Sequence, residues 1–219
     1  MPVPLDAIRA IHNAFRTDIA AMDKAANSAA HESGNLDLVL KRYKLFDEVL
    51  VWHAVGEEKF VFPAVEKAAP LVSQSYEQDH RGLDSLSERL DKAINSNDLV
   101  EVARTTAAFK FHLDIHLLKE DTHLYRVFND KVPLPEQGAT IGNMAREVPQ
   151  ERYGEFATWL ITFTGLDDRE KMTRIWQQAM PPHAFAAIAG LIQAASGDDW
   201  AKLIERVPEL KSSVKSQSK

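Results

Sequence analysis

Two stretches, Trp52-His53-Ala54-Val55-Gly56-Glu57-Glu58 and Ile115-His116-Leu117-Leu118-Lys119-Glu120-Asp121, each place a carboxylate four residues after a histidine. On a helix four residues turn roughly 400°, so His53 and Glu57 share a face one turn apart, as do His116 and Glu120. Imidazole and carboxylate on one face make a metal-binding face, and such donors suit iron, manganese or zinc. His12 precedes the first motif and His80 the second by a helix-length interval, giving the order H, HxxxE, H, HxxxE. With that order four helices each donate inward to one site.

Sparse, clustered glycine and proline divide the first half into four long segments of helical period. The first runs from about Leu5 to Ala30, with Ile8, Ile11, Phe15, Ile19 and Met22 on one stripe, and stops at His31-Glu32-Ser33-Gly34-Asn35. The second, about Leu36 to Ala68, carries Leu40, Tyr43, Phe46, Leu50, His53, Glu57 and Phe60, so the ligand-type residues continue the core stripe. Ser73 or Ser75 is suited to cap the third, whose stripe is Tyr76, His80, Leu83, Leu86, Leu90 and Ile94; Asn95-Ser96-Asn97-Asp98 reads as turn and N-cap. The fourth, about Leu99 to Phe128, carries Phe109, His112, His116, Glu120 and His123 and ends before Val132-Pro133-Leu134-Pro135. Short connections between long amphipathic helices predict an all-α, up-down-up-down four-helix bundle.

After Pro135 the texture changes. Helices are expected at about 138–147, 150–165, 168–179, 182–195 and 198–206, forming a smaller all-helical extension. The domain reading is therefore a bundle over 1–132, a C-terminal helical region over 136–210 and a flexible tail over 211–219. Trp159, Phe163, Trp176 and Phe185 of the extension suit a core and are also compatible with a homodimer contact.

At 219 residues the chain is ample for a sizeable core. Its net charge of −6 argues against nucleic acid as a partner, and without cysteine there is no disulfide, thiolate metal site or cysteine nucleophile. The N-terminus lacks a signal-type apolar run and no stretch is apolar enough to span a membrane, so the expectation is a cytoplasmic protein without a membrane partner. Glu57 and Glu120 on core stripes destabilise a bundle unless a cation or hydrogen-bond network compensates them. A pair of metal ions bridged by the two carboxylates and flanked by imidazoles from four helices supplies that compensation.

On His12, the run His53-x-x-x-Glu57-Glu58-x-Phe60-Val61-Phe62-Pro63, His80 and His116-x-x-x-Glu120, residues 5–130 resemble the hemerythrin-like, or HHE cation-binding, family. The resemblance implies a four-helix bundle around two non-haem iron ions joined by an oxo or hydroxo bridge. It places His12 and His53 on one iron, His80 and His116 on the other, and Glu57 and Glu120 between them. Hemerythrins proper have a further histidine one turn before the third-helix ligand, where this chain has Tyr76. Tyr76 is thus a phenolate ligand, a hydrogen-bond donor beside an open position, or a buried aromatic; His112 is an alternative nitrogen donor and Asp121 an alternative bridge. Glu77-x-x-His80 and Glu120-x-x-His123 also fit a ferritin-like pattern, but the first helix then lacks its glutamate and His53 and His116 go unexplained.

Such a centre binds a small oxidant or gas: dioxygen, peroxide or nitric oxide. A phenolate at Tyr76 stabilises ferric iron, which favours peroxide or other reactive oxygen and nitrogen species over dioxygen carriage. The enzymatic reading is a catalase-like or nitric-oxide-handling activity. The alternatives are a binding or sensing module without turnover, and a structural helical protein.

Overall fold

The computed structural model describes residues 2–31 and 35–215. Their regular structure is entirely helical: α1 (Pro4–His31), α2 (Asp37–Gly56), α3 (Phe62–Ala68), α4 (Gln74–Asn95), α5 (Leu99–Lys119), α6 (Tyr125–Lys131), α7 (Leu134–Met144), α8 (Tyr153–Phe163), α9 (Leu166–Ala179), α10 (Pro182–Ser196), α11 (Trp200–Arg206) and α12 (Glu209–Lys215). The expected turn residues Glu32, Ser33 and Gly34 and the tail residues 216–219 lie outside the described residues. No described helix is long and apolar enough to cross a membrane. The chain packs as two units, Phe15–Glu147 and Met1–Ala14 with Val148–Lys219.

The first unit is a helical bundle in which most of the predicted stripe residues are buried, although Leu40 is exposed and Phe60, Leu86 and Ile94 are only half-buried. Phe15, Phe46 and Phe109 are fully buried and meet edge-on in series, with centroids 5.5 and 6.0 Å apart, linking α1, α2 and α5. Burying one such side chain contributes about 1.5–3 kcal/mol. The Tyr43 hydroxyl donates to the Ser87 carbonyl at 3.0 Å, tying α2 to α4, and Arg42 pairs with buried Asp18 at 2.6 Å, tying α2 to α1. Asp98 caps α5 as expected, accepting the Glu101 amide at 3.0 Å. Ser73 occupies the N-cap position of α4, but its hydroxyl donates to Glu66, whose carboxylate also accepts the Leu71 and Ser73 amides.

Two π turns interrupt the long helices. Glu57–Val61 joins α2 to α3 and Glu120–Leu124 joins α5 to α6, with the Phe62 amide donating to the Glu57 carbonyl and the Tyr125 amide to that of Glu120. A π turn inserts one residue per turn and advances the inward register by one. An unbroken α-helix would follow Glu57 inward with Phe60 and Ala64; here Val61 and Val65 are fully buried and Phe60 is half-buried. Beyond Glu120 the same shift leaves His123 exposed and buries Leu124, Tyr125 and Phe128.

Helix α7 covers the first π turn. A Cβ placed on Gly56 would lie 2.4 Å from Cγ of Met144 and 3.4 Å from its Cα. Gly56→Ala is therefore expected to destabilise the protein by about 1–3 kcal/mol despite alanine's better helix propensity, because α7 must move. Thermal denaturation checks this: adding Met144→Ala should recover part of the loss, and an unchanged melting temperature in Gly56→Ala would contradict the packing.

The second unit contains the first residues of α1 with α8 to α12. Arg169 organises its turns, donating through Nε to the Ile161 carbonyl at 2.8 Å and through Nη1 to the Ser196 carbonyl at 3.2 Å. Trp159, Trp176 and Phe185 are buried, with Phe163 half-buried, so the aromatic residues of this region build its core. Helix α12 occupies the beginning of the stretch read as tail.

Candidate metal centre

The HxxxE motifs bring their side chains to one buried place. His53 and His116 each lie one turn from the end of their helices, α2 and α5, His80 is in the first half of α4, and Glu57 and Glu120 open the two π turns. All five are buried, both glutamates completely. Ligand-type atoms of Glu57, His80, His116 and Glu120 all lie within 4.8 Å of one another, and those of His53, Glu57 and Glu120 do likewise. His53 Nε2 is 3.4 Å from Glu57 Oε1, His80 Nε2 is 3.4 Å from Glu57 Oε2, and His116 Nε2 is 3.2 Å from Glu120 Oε1. His12 is fully buried on α1, one turn before Phe15, whose ring meets the His53 ring edge-on at 5.5 Å.

Each α4 and α5 imidazole is held from behind by a carboxylate. His80 Nδ1 is 2.9 Å from Glu58 Oε1, and His116 Nδ1 is 3.5 Å from Asp79 Oδ2. Arg81 clamps Glu58 and the Lys119 ammonium clamps Asp79. A carboxylate on Nδ1 keeps the proton there and leaves the Nε2 lone pair facing inward, the form that binds a metal. Phe62 stacks on the His80 ring at 5.3 Å, fixing its plane.

The charge balance also fits a cation. Burial, reinforced by the charge of Glu57, pushes the Glu120 carboxyl well above the ordinary range. Burial pulls His116 down to about 4, leaving it neutral near pH 7. Burial also lowers His80, but the neighbouring carboxylates of Glu57 and Glu58 outweigh it and raise the group. His80 Nε2 makes no hydrogen bond although it is buried. Two buried carboxylates side by side, with imidazole nitrogens turned toward them, are costly without a positive charge between them and well arranged with one.

The structure separates the alternatives left open by sequence. His112 is exposed and packs edge-on to Phe111 at 5.7 Å. Asp121 pairs with Arg16 at 2.6 Å. Glu77 and His123, both needed by the ferritin-like pattern, are exposed. Tyr76 is buried; its hydroxyl donates to the Lys119 carbonyl at 3.3 Å, and burial raises its pKa.

Sequence reasoning missed Tyr125. Its hydroxyl donates to Glu57 Oε1 at 2.5 Å, and burial, with the charges of Glu57 and Glu120, keeps it protonated by raising its pKa well above the ordinary value. Five α-helical residues would put Tyr125 about 140° from Glu120, off the stripe; the π turn brings it inward. Glu58 and Asp79 were missed as well, because their role depends on contacts between helices. Glu58→Gln is expected to weaken divalent-metal binding about 10- to 100-fold. Competition against a chelator would reveal this, and wild-type affinity would contradict the role.

A cavity of about 20 Å³ between α2 and α4 reaches His53, His80 and His116.

Residues 3–127 match the hemerythrin HHE cation-binding domain. The chain is 23% identical to the zinc finger protein BRUTUS of Arabidopsis thaliana over 177 residues, which cover 78% of this chain and 14% of that protein. A BRUTUS-like zinc finger protein of the same plant is 25% identical over 195 residues, covering 80% of this chain and 16% of its own length. The chain thus spans about one seventh of the length of these relatives. No solved structure matches it.

Proposed function

The chain belongs to the hemerythrin HHE cation-binding family, and we propose that its buried cluster holds two iron ions, bridged by Glu57 and Glu120, for the binding and turnover of a small oxidant. His12 and His53 serve one ion, His80 and His116 the other. The observation that carries the proposal is that the imidazoles on both sides converge on the same two carboxylates. Sharing is the arrangement of a bridged pair, and a nitrogen and oxygen donor set without thiolate suits iron. When bound, the pair supplies an open coordination position and redox steps for a ligand such as peroxide, dioxygen or nitric oxide.

The chain's own residues orient this chemistry. Glu58 and Asp79 hold the imidazoles, Leu50 and Leu83 wall the cavity, and Tyr125 holds a proton 2.5 Å from a bridging carboxylate. That buried phenol, with Tyr76 as a second neutral phenol beside the cluster, supports handling of peroxide or other reactive oxygen and nitrogen species over reversible dioxygen carriage, which calls for no proton donor. The test is iron-loaded protein given hydrogen peroxide. Iron-dependent evolution of oxygen is the expected result; a stable oxygen or nitric oxide adduct without turnover would replace it with a binding or sensing role. The second reading draws on the cavity, whose 20 Å³ is matched to a ligand of one or two atoms.

A further inference from the structure

We propose that the cavity between α2 and α4 is the port by which a divalent metal ion reaches the buried cluster, with Asp47 and Asp84 as its charged rim; this rests on the reading of the cluster as a metal site. The floor consists of His53, His80 and His116, each 5% exposed or less. The rim comprises exposed Asp84 and half-buried Asp47 and Ser87, and no lysine or arginine lines it. The Ser87 hydroxyl donates to Asp47, and among the described residues no cation pairs with that carboxylate. Arg81 offsets Asp84 in part, with Nε 3.5 Å from its carboxylate. Besides burial, the charges of Asp91, Asp84 and Glu48 act on Asp47, so the negative field extends beyond the rim itself.

The floor supplies the second observation. His80 is 3% exposed, lines the cavity and carries an Nε2 with no hydrogen bond, 3.4 Å from Glu57 Oε2 on the inner side. An ion arriving at the rim thus meets oxygen ligands first, an imidazole next and the bridging carboxylates last. The cavity has room for about one water-sized body, so a hydrated ion must shed most of its water to pass. Asp47 replaces those oxygens where the walls, Leu50 and Leu83, offer none. An anion meets only repulsion. Fields of this kind raise association rates about 10- to 1,000-fold and weaken with salt.

The test is the rate at which the metal-free protein takes up ferrous ion under anaerobic conditions. The double variant Asp47→Asn/Asp84→Asn should associate about tenfold more slowly at low ionic strength, with the difference shrinking at high salt and the iron bound at saturation unchanged. Asp84→Lys, at a side chain 61% exposed and so safe for folding, should slow uptake on its own. Wild-type rates in both variants, with saturable binding intact, would overturn the port and leave the metal site standing. Reduced iron at saturation would overturn the port by making the rim part of the resident site, and a wild-type protein that takes up no metal would overturn port and site together.

Discussion

Metal-free protein carrying Glu120→Gln is expected to be more stable than metal-free wild type at pH 8 by about 2 kcal/mol, although its metal binding is weakened. Glu120 is fully buried beside Glu57, and burial and that neighbouring charge raise its pKa well above 4.5. A carboxyl whose folded pKa lies above its unfolded one stabilises the fold while protonated. That contribution is whole below about pH 4.5 and is lost as pH climbs through the folded value. Glutamine has the same shape and never ionises. Metal-free wild type should therefore lose stability relative to the variant between pH 5 and pH 8, while the lowered His116 adds a rise with pH to both curves. Urea denaturation at both values would record the divergence, and parallel curves would show that the two carboxylates do not repel in the folded chain.

Iron should reverse that order. A ligand present at about 1,000 times its dissociation constant stabilises the folded state by about 4 kcal/mol. For a chain of this size the melting temperature then rises by about 10 °C. Loaded wild type should melt highest, metal-free Glu120→Gln next and metal-free wild type lowest, with iron giving the variant little further gain. A chelator that leaves the wild-type melting temperature unchanged would point to a structural helical protein instead. The contrast follows from one cause: the charge that burdens the empty cluster is the charge that holds the metal.

How much of this was legible in sequence depended on whether a feature is local. The long helices follow from apolar spacing and from breakers such as Ala69-Pro70 and Asn95-Ser96-Asn97-Asp98. His53, Glu57, His80, His116 and Glu120 stand out in sequence as polar residues on apolar stripes, and the structure buries all five. The π turns were not legible, because no residue type encodes an inserted position; only the burial of Val61 and Val65 in place of Phe60 and Ala64 reveals it. Tyr125 was hidden by the same shift. Glu58 and Asp79 look like ordinary surface charges in sequence, and their clamps Arg81 and Lys119 make sense only once the first π turn, α4 and α5 are side by side. Spacing offers Ser73 or Ser75 as the cap of α4; Ser73 takes the position, but its hydroxyl donates to Glu66 through a contact that spacing does not specify.

Metal content per chain, read with an optical spectrum, tests the central claim most directly. The account predicts two irons per folded chain with an oxo-bridge absorption band, falling to one or none in Glu57→Gln and Glu120→Gln. One iron or zinc in the wild-type protein, or two irons retained without either glutamate, would contradict it.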